Sequence, residues 1–216
     1  MITLASVCQQ FPVIFATLLG TMLGIAAAAA DPLDLRPTDW RLSDWRRLNA
    51  GEQAVFLAGY SLGWYGLERR SNGTASLASA AKASRLLRAA LQDEAVASST
   101  QRVVVALMQL NAIGTLPAFP VSGASWLALP VRHRLALLHG FYAGQYARSL
   151  TGALGEEAAA ATIEQALDER QFARPRLALG PSLLFARLSD WYFYVDRRVQ
   201  PLTVSIAEIV DQATDR

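Results

Sequence analysis

The chain has very few of the residues that usually build metal sites and covalent chemistry. Its 216 residues include one cysteine, Cys8, and only two histidines. Cys8 lies in an N-terminal segment that we expect to be removed, which would leave no disulfide, thiolate nucleophile or cysteine metal site. The remaining chain of about 186 residues must then be stabilised by packing alone.

Lysine is also almost absent, because Lys82 is the only one. Lysine and arginine together number 20 against 18 acidic residues, and the arginines are spread along the chain instead of forming a basic arm. Since nucleic acid binding depends on clustered positive charge, we expect no nucleic acid partner. The bias towards alanine, leucine and arginine is typical of a GC-rich bacterial genome.

No set of residues has the spacing of a known catalytic or metal site. His133 and His139 are six residues apart on one predicted helix, so they point to different faces and cannot hold a metal together. Paired carboxylates can cleave glycans, and Glu164 with Asp168 is one candidate pair. An alanine-rich helix nevertheless carries such acids on its solvated face. We therefore expect a protein that is not an enzyme, with no catalytic residues, no metal and no cofactor.

An uncharged apolar segment runs from Phe11 to Ala30 and ends in five alanines before Asp31. This pattern predicts a signal peptide over residues 1–30, cleaved after Ala30. No lysine or arginine precedes Phe11, so the alternative is an uncleaved membrane anchor, since about 20 apolar residues span a bilayer. The expected location is the bacterial periplasm or the medium, with no membrane span after cleavage.

The rest of the sequence matches itself at an offset of 81 residues. Between positions 45 and 65, six residues recur at this offset, against roughly one or two expected by chance. The recurring residues include the pairs Trp45 and Trp126, Gly59 and Gly140, and Gly63 and Gly144. The offset continues without a gap to Pro120 and Pro201. We predict two tandem repeats of three helices each, at 31–120 and 121–216, together with a C-terminal helix.

Capping signals and apolar spacing predict an all-α fold. Asn49 followed by Glu52 indicates the start of a helix that runs to about Glu68. Further helices are expected at 76–95, from Ser98 or Ser99 to before Gly114, after Pro130, at 156–172, after Pro181, and from Ser205 to about Thr214. No stretch alternates with a period of two for long enough to predict a strand.

The repeated glycines predict how the helices meet. Gly59 and Gly63 lie on one stripe of the first long helix, and Gly140 and Gly144 lie on the matching stripe of the second. A glycine inside a helix costs about 0.5–1 kcal/mol relative to alanine, so a repeated pair needs a compensating gain. Small residues let two helix backbones approach closely. We expect the two stripes to face each other across an approximate twofold axis.

Four consecutive aromatic residues at 191–194 are the densest unusual feature outside the repeated motif. On a helix they would point in all directions, so two are expected in the core and two at a rim or partner surface. Exposed aromatic residues and arginine are enriched at binding hot spots. The predicted binding residues, with two from the first repeat, are Trp64, Tyr65, Trp191, Tyr192, Tyr194, Arg197 and Arg198.

Two stretches resemble known proteins. The first contains Trp45, the pair Glu52-Gln53 and the run Phe-Leu-Ala-Gly-Tyr-Ser-Leu-Gly at 56–63, and it resembles the first helix of small exported bacterial helical proteins. The closing segment with Trp191 is similar to the end of such proteins. The Gly-Tyr helix is also similar to that of Rap1a/Tai-type immunity proteins. That resemblance implies a periplasmic protein that inhibits a cell-wall amidase by binding it, although those proteins carry cysteines and are not duplicated.

Two functions are compatible with these features. The leading prediction is a non-catalytic exported protein, an inhibitor or adaptor, that binds a protein partner. The alternative is a periplasmic carrier of a small ligand or lipid, with a pocket between the repeats lined by Trp64, Phe141 or Trp191. An enclosed cavity would favour the carrier, and an exposed aromatic-arginine patch the interaction protein. Because the repeats share no acid or base, any function should lie where they differ.

Overall fold

The computed structural model describes residues 31–34, 36–65, 77–112, 116, 121–169 and 179–214. The expected signal peptide at 1–30 lies outside these residues. The helices are α1 (Leu42–Arg46), α2 (Ala50–Tyr65), α3 (Leu77–Gln92), α4 (Val103–Gln109), α5 (Gly123–Ala128), α6 (Val131–Leu154), α7 (Ala160–Asp168), α8 (Pro181–Trp191) and α9 (Leu202–Thr214). Short 3-10 turns lie at Pro32–Asp34 and Val195–Val199. The described residues contain no strand, so the all-α prediction is confirmed.

The predicted capping box forms at the start of α2. The Glu52 backbone N–H donates to Oδ1 of Asn49 at 2.9 Å, and the Asn49 N–H donates to Oε2 of Glu52 at 2.9 Å. This exchange satisfies two backbone donors that the first helical turn would otherwise leave unpaired. Nε of Arg132 also donates to Oε1 of the buried Glu52 at 2.6 Å. The cap of α2 is thereby joined to the first turn of α6.

The backbones of α2 and α6 touch where the repeated glycines lie. A Cβ added to Gly59 would be 2.0 Å from the carbonyl oxygen of Leu137, and one added to Gly140 would be 1.9 Å from that of Phe56. Neither distance leaves room for any side chain other than that of glycine. Gly140 follows Gly59 by 81 residues, and Leu137 follows Phe56 by the same number. Each helix therefore makes the same contact with the other, with residues at matching positions.

The second glycine pair repeats this contact one turn further along. A Cβ on Gly63 would lie 2.0 Å from the carbonyl oxygen of Phe141, and a Cβ on Gly144 would lie 2.0 Å from that of Tyr60. Nε2 of Gln145 donates to the Gly63 carbonyl at 2.6 Å and gives the helix pair a polar contact. The expectation that the two glycine stripes face each other is therefore confirmed.

Two single antiparallel bridge pairs join the residues that precede short helices. Arg41 before α1 pairs with Arg102 before α4, and Ser122 before α5 pairs with Pro201 before α9. Ser122 follows Arg41 by 81 residues, whereas Pro201 follows Arg102 by 99. The two bridge pairs therefore keep the 81-residue offset on one side only. α7 lies between α6 and α8 in the chain.

α4 begins later, and α9 begins earlier, than their capping signals predict. Ser98 and Ser99 do not start α4, because Val103 donates its N–H to the Trp40 carbonyl at 2.9 Å and the helix begins only there. The last helix begins at Leu202, not at Ser205, since its first turn is already closed by the Ser205 N–H donating to the Pro201 carbonyl. The middle helix of the second half is also shorter than expected, at Ala160–Asp168. The helices after Pro130 and at Pro181 begin as predicted.

Buried side chains form two apolar clusters, one on each side of the α2–α6 pair. The first cluster contains Trp40, Trp45, Phe56, Leu57, Leu91, Val103–Leu107, Ala143, Ile163 and Ala166 among others. The second contains Trp126, Phe141, Leu184, Leu188, Tyr192, Leu202 and Ile206 among others. Trp45 and Trp126, the repeated tryptophans, are each fully buried, one in each cluster. No described helix is both long and apolar enough to cross a membrane.

The glycine contact makes a direct prediction about stability. Gly63→Ala should destabilise the protein by more than about 2 kcal/mol, because the new methyl group would push the two backbones apart. Gly152→Ala on α6 is the matched control, since a Cβ there would meet no atom within 4 Å; it should stabilise by about 0.5–1 kcal/mol. Urea unfolding of both variants measures the difference, and equal stabilities would show that the helices do not meet at Gly63.

Candidate functional site

A run of exposed apolar side chains follows α8. Phe193 is 77% exposed, Tyr194 57%, Val195 71% and Val199 81%. Together with Trp191 and Arg197, which are half-buried, we call these residues the arginine–aromatic surface. An isolated exposed apolar side chain is ordinary, but a contiguous patch marks a binding site on most soluble proteins.

The surface is anchored from below by Tyr192, which is fully buried. Its ring lies against Gly123, where an added Cβ would be 2.2 Å from Cε1 of the tyrosine. Its hydroxyl donates to Oγ of Ser205 in α9 at 2.9 Å. Burial raises the pKa of this hydroxyl, so it stays protonated at neutral pH and continues to donate. Tyr192 thus fastens the end of α8 to α5 and α9.

Side-chain hydrogen bonds hold the rest of the segment. Oε1 of Gln200 accepts from the Trp191 indole N–H at 3.2 Å and from the Ser205 hydroxyl at 3.3 Å. Arg198 donates from Nε to the carbonyl of Tyr192 at 3.0 Å and from its second nitrogen, Nη2, to that of Phe193 at 3.4 Å. Cations that bind the last carbonyls of a helix stabilise its end. The exposed side chains therefore project from an ordered segment.

The guanidinium of Arg197 lies over two aromatic rings of the surface. Its guanidinium carbon is 3.9 Å from the ring centre of Trp191 and 4.9 Å from that of Tyr194. The Phe193 and Tyr194 rings are themselves in edge contact, with centres 5.9 Å apart. Aromatic rings attract a guanidinium through their negative faces. The cation is consequently fixed in position at the edge of an apolar patch.

The four aromatic residues do not lie on one helix, as the sequence predicted. α8 ends at Trp191, and Arg198 holds the two following carbonyls in a turn. The expected division of the four rings nevertheless holds in part, since Tyr192 is buried and both Phe193 and Tyr194 are exposed. Trp191 is intermediate. The tertiary contact of Tyr192 with Gly123, and not helical periodicity, decides which rings reach solvent.

The candidate residues of the first repeat lie elsewhere. Trp64 and Tyr65 are the last residues of α2, and Trp64 packs against the first apolar cluster. Trp191 packs against the second cluster, and Phe141 is fully buried within it. The residues assigned to one surface, or to one carrier pocket, are therefore divided between two clusters.

The two histidines of α6 occupy different environments. His139 is buried, and its ring stacks on Trp40 with centres 4.8 Å apart. His133 lies beside Gly51 at the start of α2, where an added Cβ would be 2.5 Å from Nε2. Among the described residues no group of three or more His, Cys, Asp or Glu side chains could hold a metal ion.

The carboxylates of Glu164 and Asp168 bind one arginine. Arg102, which is buried, donates to Oε2 of Glu164 at 2.6 Å and to Oδ1 of Asp168 at 2.5 Å. The Arg102 backbone N–H also donates to Oε1 of Glu164 at 2.9 Å. The pKa of the Asp168 carboxyl is lowered by the hydrogen bond from Arg102 and by its charge. Both acids are thus engaged by one arginine, and they dock α7 onto the start of α4.

Comparison of the chain with protein-family models, with curated proteins and with solved structures gave no match. The site therefore has to be interpreted from its own geometry. Sequence reasoning missed Val195 and Val199, although two valines around the charged triplet 196–198 were a visible signal. It also missed Gly123, whose role appears only because Tyr192 occupies the space beside it.

The ion pairs of Arg102 predict that the stability of the protein depends on pH. Asp168 has a lowered pKa in the folded state, so its pairing stabilises the protein near neutral pH and is lost as the pH falls through that folded pKa. Asp168→Asn should therefore flatten the decrease in the thermal midpoint between neutral pH and about pH 2. The matched control is Asp190→Asn, which also removes one exposed carboxylate but leaves the ion pairs of Arg102 intact, so a difference between the two profiles isolates the pairing. A wild-type profile for Asp168→Asn would contradict the pairing.

Proposed function

We propose that this chain is a non-catalytic interaction protein that binds a protein partner through the arginine–aromatic surface. One observation carries the proposal: four large apolar side chains within one seven-residue segment, 193–199, are each more than half exposed. Aromatic residues and arginine are enriched at interfaces, and they supply most of the binding energy there. This combination favours a docking surface over an ordinary solvated turn.

The order of the segment supports the same proposal. Tyr192, Arg198 and Gln200 tie it to the helices below by hydrogen bonds that exist without a partner. Binding by a surface already held in place loses less conformational entropy than binding by a mobile loop. Most of the free energy gained by burying the exposed rings can therefore contribute to binding affinity.

We further propose that the helical unit is a tandem duplication in which the second copy contains an insertion. The exchanged glycine contacts and the two bridge pairs support this relation. In the first half, the fully described segment 93–101 corresponds to the arginine–aromatic surface, and Val96 is its one large apolar side chain that is more than half exposed. Arg46 binds the Leu91 and Ala97 carbonyls and the Glu94 carboxylate there. The copies thus differ where we place the function.

The expected location supports a partner outside the cytoplasm. The apolar run Phe11 to Ala30, followed by Asp31 and Pro32, has the pattern of a secretory signal. A periplasmic or secreted inhibitor or adaptor is the form of interaction protein that fits this pattern, and the resemblance to Rap1a/Tai-type immunity proteins agrees with it.

Site-specific photo-crosslinking tests the proposal. The full chain is expressed in its native host with p-benzoylphenylalanine in place of Phe193 or, as the matched control, in place of Val96. We expect a covalent adduct with a distinct protein from position 193 only, because Val96 stands alone in the equivalent segment. Mass spectrometry identifies the adduct.

A second variant separates binding from folding. Tyr194→Ser with Val195→Ser, carrying the crosslinker at position 193, should lose the adduct while keeping the wild-type thermal midpoint, since both side chains are exposed. Three outcomes would contradict the proposed function. The crosslinker at position 193 could give no adduct, or it could give the same adducts as the crosslinker at position 96. The double variant could also form as much adduct as the unchanged surface.

A further inference from the structure

Arg197 is the one charged side chain of the arginine–aromatic surface, and its guanidinium carbon lies over two aromatic rings. Trp191 lies 3.9 Å and Tyr194 4.9 Å from the guanidinium carbon. Within the part of the chain that the structure describes, its side chain makes no hydrogen bond and no ion pair. The side chain of Arg198, the next residue, instead donates hydrogen bonds to the carbonyls of Tyr192 and Phe193.

The N–H donors of this guanidinium therefore have no acceptor among the described residues. They lie in the plane of the group and fit the two oxygens of a carboxylate. Apolar rings beside a cation reduce its contact with water, which strengthens its attraction to an anion. An arginine already in contact with two rings loses less side-chain entropy when it binds.

We propose that Arg197 is a carboxylate-binding residue, and that the partner presents an acidic side chain or a chain terminus beside an apolar side chain. The carboxylate binds the edge of Arg197, and the apolar group packs on Phe193 and Tyr194, which are exposed on the same segment. This inference rests on the proposed function of the surface and adds the chemistry of the partner.

The charges around the surface favour a single carboxylate of a protein partner over an anionic membrane. The acidic residues Asp190 and Asp196 are exposed in or next to the segment, and Arg198 is already engaged. Binding to an anionic membrane surface usually needs a cluster of several basic residues. A single oriented guanidinium among apolar groups fits one carboxylate with an apolar neighbour.

Nuclear magnetic resonance of the side-chain Nε–H of Arg197 tests the inference with a small probe. Phenylacetate combines a carboxylate with an apolar ring, and phenylacetamide has the same shape without the charge. We expect phenylacetate to shift the Arg197 resonance saturably and phenylacetamide to bind about ten-fold or more weakly, as a charge-assisted hydrogen bond is lost. Equal effects of the two compounds would overturn the inference.

Variants and competing anions sharpen the test. Arg197→Gln should abolish the phenylacetate response seen elsewhere on the surface, for example at the Phe193 backbone N–H, whereas Arg187→Gln at an exposed position of α8 should retain it. Inorganic phosphate and vesicles of equal parts phosphatidylcholine and phosphatidylglycerol are added separately to the wild-type protein. Binding of phosphate or vesicles without binding of phenylacetate would overturn the inference in favour of a phosphate or a membrane.

The crosslinking experiment distinguishes failure of this inference from failure of the proposed function. With the crosslinker at position 193, Arg197→Gln should weaken adduct formation about ten-fold. A full adduct in Arg197→Gln would overturn the carboxylate role and leave the surface as a docking site. The complete absence of an adduct in the otherwise unchanged chain would instead remove the proposed function itself.

Discussion

The contact on which the rest of the structure depends is the one between the backbones of α2 and α6. Four glycines place each helix against carbonyl oxygens of the other, at separations where an added Cβ would be about 2 Å from oxygen. Interiors are close-packed, so this separation fixes the axis distance and the register of the pair. Both apolar clusters take residues from these two helices. Any shift between α2 and α6 would disturb both cores at once.

The first residues of α1 and α5 make similar backbone hydrogen bonds, but different side chains fill the space beside them. In the first half, Leu42 donates its N–H to the Gln101 carbonyl; in the second, Gly123 donates to the Gln200 carbonyl. Leu42 fills its own side of the core, whereas Gly123 leaves space that the Tyr192 ring occupies. The glycine at position 123 therefore leaves room for Tyr192, and the segment that follows Tyr192 forms the arginine–aromatic surface.

Charge serves two separate purposes in this chain. Arg102 is buried, and its ion pairs with the more exposed Glu164 and Asp168 dock α7 against the start of α4. Arg197 is half-exposed beside two aromatic rings, with no carboxylate of the described chain on it. A buried arginine without partners would be strongly destabilising, so the first network is required by the fold. The second cation has no such partner in the described chain, which is why we propose a ligand for it.

The sequence by itself determined the all-α class, the capping box of Asn49 and Glu52, and the facing glycine stripes. Those features depend on neighbours within one or two helical turns, or on a residue type that only close approach can explain. The tertiary structure decided which residues pair ahead of the closing helix, since Pro201 pairs with Ser122. It also decided where α4 and α9 begin, since the Val103 N–H donates to the Trp40 carbonyl and the Leu202 N–H donates to the Val121 carbonyl. Finally, Tyr192 packing on Gly123 decided which aromatic rings reach solvent, and Arg102 decided the role of two acids. Each of these contacts joins residues far apart in the chain, and local periodicity carries no information about them.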